Sequence, residues 1–372
     1  MWPTLGFGRR QKYEYQKLID YRQREVSSRK AGDQVVCDID KTYLETDFES
    51  WIQIARTALE SPEDKITAPG ARELLLALRW SGEGAPDEGP RALHFVSSSP
   101  PQMRSKLEEK LLLDGIDWTS DTFKNQAYNL RMGRVDLLRQ HVAYKSMAIL
   151  RLLVQGGPGS RFHLIGDSAE SDAYIYLGVW LLSCGLIGPA SYVRYLINAG
   201  VEEELAKSML SDATLSSSKP MDQMGQIVSI SIRLVPGAPL TEHPPLTQQI
   251  HQFSSYFDSI MYFIAMGLID QGGLFLAVQA FNNKYGMTSG EILARVTGWK
   301  QKLGERAGLL GVIDIVEARL RSLHSPGPQK ILIPRMEQPN RDDFSGLNES
   351  QIVDQARLWI ERHAEDRRGR RN

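Results

Sequence analysis

The chain has 372 residues, with 44 Lys plus Arg against 45 Asp plus Glu and a net charge of -1. That balance leaves no electrostatic footprint for nucleic acid, so no nucleic-acid partner is expected. Cys37 and Cys184 have the spacing of neither a zinc site nor a disulfide framework, which fits a cytoplasmic location. The length exceeds one ordinary core and predicts a domain of roughly 200 residues plus further mass.

Residues 1–29 hold no uninterrupted apolar run and read as a charged, helix-like arm without a secretory signal. Val35-Val36-Cys37, after Ala31-Gly32-Asp33, has the pattern of a buried parallel strand that ends at Asp38. Leu74, Leu75 and Leu78 place a helix over 71–78, and a Gly/Pro/acid loop follows to residue 90. A second strand over 92–96 runs into Ser97-Ser98-Ser99-Pro100-Pro101. The helix over 102–113 carries Met103, Leu107 and Leu111 on one face. Lys145 opens another helix, which stops at Gly156-Gly157-Pro158-Gly159, and a third strand spans 161–165. This alternation predicts an α/β fold, a doubly wound parallel sheet that binds ligands at the carboxyl ends of its strands.

Residues 173–193 are uncharged over about 21 positions, the length of a membrane span. Gly185 reads as a helix stop and Pro189 as a new first turn, which favours two buried helices instead. The segment of about 186–224 is expected to be a helical insertion, with a last strand over 227–235 closing a domain of 30–235. Beyond it we expect a helical domain over 246–324, a linker over 325–345, and a C-terminal helix with a basic tail over 346–372. The tail, Arg367-Arg368-Gly369-Arg370-Arg371, allows at most peripheral membrane contact.

Asp38 and Asp40 stand two residues apart at a strand end, so both carboxylates emerge on one side of an extended backbone. Like charges placed there call for a hard divalent cation, and magnesium is the usual choice where a phosphate completes the shell. So neutralised, Asp38 is a nucleophile toward phosphorus and Asp40 a general acid/base. Ser97 offers a hydroxyl donor to a phosphate oxygen and Ser98 a backbone amide. Lys145, read at a first helical turn, is ill placed for the helix dipole but well suited to a phosphate and to the Asp38 carboxylate. Asp167 and Asp172 lie at a third strand end, where Gly166 lets backbone approach; Asp167 would bind the cation and Asp172 support it.

Together these motifs resemble the haloacid dehalogenase superfamily. The wording Cys-Asp-Ile-Asp-Lys-Thr, His-Phe-Val-Ser-Ser-Ser-Pro, a Lys-led helix and Phe-His-Leu-Ile-Gly-Asp-Ser-Ala-Glu-Ser-Asp-Ala-Tyr-Ile-Tyr is similar to the phosphatidate phosphatase catalytic domain of the actin-patch-associated type. Ser229-Ile230-Ser231-Ile232-Arg233 resembles that domain's last strand, so the likeness extends over about 30–235. It implies Asp38 as nucleophile, Asp40 as acid/base, Ser97 and Lys145 as phosphate ligands, and Asp38, the Asp40 carbonyl and Asp167 as magnesium ligands. Lys41 stands where that family often has a third aspartate, Ser98 where it often has asparagine, and Ala173-Tyr174 where it often has Pro-Glu.

The sequence therefore predicts a magnesium-dependent phosphomonoester hydrolase working through an aspartyl-phosphate on a phosphorylated small molecule or lipid, phosphatidate first among them. The rival is a non-catalytic binding or regulatory protein that keeps the scaffold and holds a protein partner on its C-terminal helices. Turnover of a phosphomonoester panel separates the two.

Overall fold

The computed structural model describes residues 19–26, 28, 31–45, 66–81, 89–99, 101–125, 137–210, 223–303, 307–323, 334, 336 and 338–369. Strand β1 (Ile19–Gln23) precedes β2 (Gly32–Asp38), then come α1 (Ala71–Trp80), β3 (Ala92–Ser97), α2 (Arg104–Leu113) and β4 (Ser120–Lys124). Helix α3 (Leu137–Gly156) leads to β5 (Ser160–Asp167), α4 (Asp172–Ser183), α5 (Pro189–Asn198), α6 (Glu203–Leu210) and β6 (Gln226–Arg233). The remainder comprises β7 (His251–Phe253), α7 (Tyr256–Ala265), α8 (Gln271–Asn283), α9 (Ser289–Leu303), α10 (Ala307–Leu323) and α11 (Glu349–Gly369).

The strands form one seven-stranded sheet in the order β1-β4-β3-β2-β5-β6-β7, all neighbours parallel except the antiparallel pair of β1 and β4. The chain steps outward from β2 through β3 to β4, then returns to build β5, β6 and β7 on the other side. The direction reverses between β2 and β5, where the carboxyl ends of the strands leave a crevice.

Alternation along each strand sends side chains to opposite faces, and helices cover both. Val36, Val96, Leu164 and Ile230 pack with α3, α4, α5, α6 and α11. Val35, Cys37, Leu93 and Phe95 pack with α1, α2 and the helices α7 to α10. Every residue of α7 is buried, so its uncharged sequence reflects an internal helix. Among the described residues no helix is long and apolar enough to cross a membrane. Within 173–193, α4 ends at Ser183, Gly185 takes φ +74, and Pro189 occupies the start of α5, as the sequence predicts.

Some elements differ from expectation. Most of the arm over 1–29 lies outside the described residues, but Ile19–Gln23 is a strand, not a helix. Its hydrogen-bond partner is β4, about 100 residues away and beyond the reach of any local pattern. β4 itself, Ser-Asp-Thr-Phe-Lys, lies in a stretch with no element expected from sequence; it is fully buried, with Asp121 accepting from Arg104 Nε at 2.7 Å and from Trp118 Nε1 at 3.0 Å. Helix α3 begins at Leu137, so Lys145 sits well inside it and the dipole argument for that lysine does not hold. Residues 211–222 of the expected insertion, most of the linker, and Arg370 and Arg371 of the tail lie outside the described residues.

Candidate active site

Parallel strands that end side by side bring three polar loops to one edge. Asp38 is the last residue of β2, Ser97 of β3 and Asp167 of β5, while Asp172 begins α4. Lys145 reaches the same point from α3. Asp38, Ser97, Lys145, Asp167 and Asp172 are all at most 1 % exposed, and Asp40 is 3 % exposed. Every residue nominated from sequence except Ser98 is thus buried at this edge, and Ser98 is half-buried beside it.

Lys145 is the hub. Its Nζ lies 2.8 Å from Asp38 Oδ1, 2.9 Å from Glu170 Oε2 and 2.5 Å from Asp172 Oδ1. Burial alone would lower the lysine, but the surrounding carboxylates of Asp172, Asp38 and Glu170 hold it well above its ordinary range. Burial raises Asp38 well above the usual carboxylate range against the pull of Lys145, with Asp172 adding to the rise. Asp167 is raised in the same way by burial and by Asp172 and Glu170. Glu170 moves well down, because Lys145 and His141 outweigh its burial. Lys124, at the end of β4, is pushed down to about 8 by burial, against the pull of Glu170.

Asp40 is held differently. Ser97 Oγ donates to its Oδ2 at 3.0 Å, and Ser99 Oγ lies 3.2 Å from Oδ1 and 3.0 Å from Oδ2. Burial raises Asp40, and the two serine hydroxyls partly oppose it. The Ser97 hydroxyl, nominated for a phosphate, is therefore engaged with Asp40, and the Ser99 amide donates to Ser97 Oγ at 3.1 Å. Ser98 Oγ donates to Glu170 Oε2 at 3.1 Å and stands 3.3 Å from His141 Nδ1.

Asp167 Oδ1 accepts the backbone amides of Ala169 at 2.6 Å and Glu170 at 3.0 Å, which shapes the loop into α4. Asp172 Oδ2 accepts the Asp167 amide at 3.3 Å. A Cβ on Gly166 would lie 2.5 Å from Asp172 Oδ2 and 2.8 Å from Tyr176 Cε2, so only glycine permits this approach.

The loop after β2 is clamped from outside these motifs. Lys41 adopts φ +58, the left-handed region a non-glycine residue enters only when its surroundings hold it there. Arg233 Nη1 donates to the Lys41 carbonyl at 2.8 Å, and the Tyr256 hydroxyl donates to the Thr42 carbonyl. Glu170, Ser99, His141, Lys124, Arg233 and Tyr256 were not nominated from sequence. Glu170, Ser99 and Arg233 lie within the quoted motifs and are open to weighing there; the others come from elements whose convergence needs the fold.

Can this edge hold a cation? Both Asp38 oxygens are buried without a hydrogen-bond donor of good geometry, although Oδ1 is ion-paired with Lys145. Asp38, Glu170 and Asp172 each offer an oxygen, and these lie within 4.8 Å of one another. The donor set is all oxygen, which suits a hard divalent metal, but Lys145 Nζ already bridges one oxygen each of Asp38, Glu170 and Asp172, so a cation would draw on the acids' remaining oxygens. Asp167 and Asp40 lie outside that group of three; Asp167 Oδ1 accepts backbone amides and Asp40 accepts serine hydroxyls.

Residues 34–182 match the family model for phosphatidate phosphatase APP1, catalytic domain. This is the family that the motifs resemble, and the matched segment contains Asp38, Asp40, Ser97, Lys145, Asp167, Glu170 and Asp172. The match stops within α4, short of the strand β6 to which the motif likeness extended, so Arg233, Tyr256 and α11 lie outside it. No curated protein and no solved structure matches the chain.

Proposed function

We propose that the chain is a magnesium-dependent phosphomonoester hydrolase of the haloacid dehalogenase type, acting on a phosphatidate-like lipid phosphate. The observation that carries this reading is Asp38: a buried carboxylate without a hydrogen-bond donor of good geometry, ion-paired at 2.8 Å with the Lys145 ammonium, at the reversal of strand order. A carboxylate that is paired electrostatically but not tied down by donors is free to use an oxygen as nucleophile. The order β4-β3-β2-β5-β6 supports a doubly wound core, and the phosphatase domain is taken as 30–235.

In the first step an Asp38 oxygen bonds to phosphorus while the bond from phosphorus to the ester oxygen breaks, and Asp40 gives its proton to the departing alkoxide. Burial raises Asp40, which favours its protonated form, and Ser97 and Ser99 fix its orientation. In the second step Asp40 takes a proton from water, whose oxygen attacks phosphorus, releasing inorganic phosphate and restoring Asp38. Lys145 stabilises charge on the transferring group throughout. Asp38, Glu170 and Asp172, with Asp167 and the Asp40 carbonyl that the resemblance adds, are the residues that would hold magnesium. When bound, the ion would supply positive charge against both the acids and the phosphate oxygens.

The test is phosphate release from phosphatidate and from soluble phosphomonoesters with magnesium. Asp38→Asn is expected to lower it by about 10⁴-fold or more, as removal of a nucleophile does elsewhere, and chelation of the metal to abolish it. Release that survives either treatment would rule out the mechanism.

A further inference from the structure

A cavity of about 480 Å³ opens beside the phosphoryl site, between α3, α4 and α11. Its size falls within the range of about 300–1,000 Å³ typical of small-molecule sites. Glu170 belongs to both places: its Oε2 is 2.9 Å from Lys145 Nζ, and its side chain forms part of the cavity wall. Whatever leaves phosphorus at Asp38 therefore has this space next to it.

The wall is mostly apolar, built from Val142, Ala173, Tyr174, Leu240, Trp359 and Ile360, with Ser171 and His363 adding polar atoms. The polar atoms of Tyr174 and Trp359 are already committed. The Tyr174 hydroxyl donates to the Tyr195 carbonyl at 2.6 Å, and Trp359 Nε1 donates to the Thr241 carbonyl at 2.8 Å. What both residues offer the cavity is ring surface. Arg367 and Arg368 also line it, and Arg367 donates to the Ala169 carbonyl in the catalytic loop, so the cationic end of α11 lies against the phosphoryl site.

Building on the phosphohydrolase reading, we infer that this cavity is the leaving-group subsite, that it takes a hydrocarbon chain of the alcohol portion, and that α11 sets the chain length. Each methylene moved from water into it contributes favourably, and the arginines favour the anionic end of the same molecule. The α11 wall lies outside the matched segment 34–182, whereas Val142, Glu170, Ala173 and Tyr174 lie inside it, so the C-terminal region completes the subsite.

The experiment compares octyl phosphate with ethyl phosphate on the full chain with magnesium. The wild type is expected to favour octyl phosphate by about tenfold or more in kcat/KM. Ala364→Phe, which fills the cavity from a half-buried position on α11, should lower that ratio by about tenfold through KM. Ile360→Ala, which enlarges it, should move the preference from octyl toward dodecyl phosphate. A ratio unchanged by both variants overturns the subsite. If no phosphomonoester is turned over, the functional reading fails, and calorimetric binding of octylphosphonate against ethylphosphonate decides the cavity separately. Tighter octylphosphonate binding that Ala364→Phe weakens sustains it; equal binding of the two phosphonates overturns it.

Discussion

Two buried charged clusters in this molecule use the same residue types to opposite ends. On the sheet face covered by α7 to α10, Asp258 meets one cation and one neutral donor: Arg295 Nη1 donates to Oδ2, and Trp299 Nε1 to Oδ1 at 3.0 Å. Each carboxylate oxygen there has a partner. At the strand ends, Asp38, Asp40, Asp167, Glu170 and Asp172 crowd around Lys145, and neither Asp38 oxygen has a donor of good geometry. The first arrangement stabilises a fold; the second keeps like charges together at the expense of stability, as the proposed cation and phosphate site would require.

Substitution should separate the two clusters. Asp40→Asn is expected to lower kcat on alkyl phosphates by about 10²–10⁴-fold, the usual size of general acid catalysis. The loss should shrink on p-nitrophenyl phosphate, whose leaving group needs little protonation; an equal loss on both substrates would remove Asp40 from the acid role. In metal-free protein, Asp38→Asn should raise unfolding stability by about 0.5–2 kcal/mol, because it relieves repulsion among the acids.

Asp258→Ala should act in the reverse sense. It leaves the half-buried Arg295 and the buried Trp299 indole without their acceptor, a loss of about 1–3 kcal/mol in stability, while kcat of the folded fraction stays unchanged. Denaturant unfolding and active-site-normalised turnover measure the two quantities. A fall in kcat would tie this cluster to the chemistry and end the contrast.

A smaller effect concerns protonation away from both clusters. His94 is buried with Nδ1 2.7 Å from Ser120 Oγ and Nε2 3.0 Å from Gln34 Oε1. Burial, with Arg79 adding, pushes it down to about 3 from 6.5. Between those values the unfolded chain binds the proton and the folded chain does not, so this contribution is complete above pH 6.5 and shrinks on acidification. At pH 5 the loss from this group is about 2 kcal/mol, at 1.36 kcal/mol per unit. A His94→Gln variant should show a correspondingly shallower fall of unfolding free energy from pH 7 to 5; a slope identical to that of the wild type would sink the assignment.

How far the sequence revealed this depended on the range of the interactions involved. Asp38, Ser97 and Asp167 were legible because each ends a β-branched or aromatic run whose alternation is local. Lys145 was chosen through a helix start that the structure moves to Leu137, and its real justification, three carboxylates from β2 and the α4 loop, is tertiary. β4 shows no clear period, which conceals Lys124, and its polar Asp121 is buried with Arg104 and Trp118 as donors from outside the strand. Strand β7 is only three residues long and shows no period, yet it extends the sheet beside β6.

The clusters are not wholly independent, because α7, which carries Asp258 in its first turn, also carries Tyr256, whose hydroxyl donates to the Thr42 carbonyl. Together with Arg233 on the Lys41 carbonyl, it holds the loop after Asp40 in a conformation that Lys41 would not adopt unaided. Tyr256→Phe removes that bond and leaves the ring packed on Phe253, at 5.2 Å between centroids. One hydrogen bond contributes about 0.5–1.5 kcal/mol, so stability should fall by that amount. If the bond also fixes the loop, kcat should fall by less than about tenfold with KM little changed. Loss of stability with kcat intact would mean that Arg233 and the backbone around Lys41 suffice. Loss of kcat would make α7 a support for the catalytic loop as well as a core helix, through a residue that lies outside the matched segment.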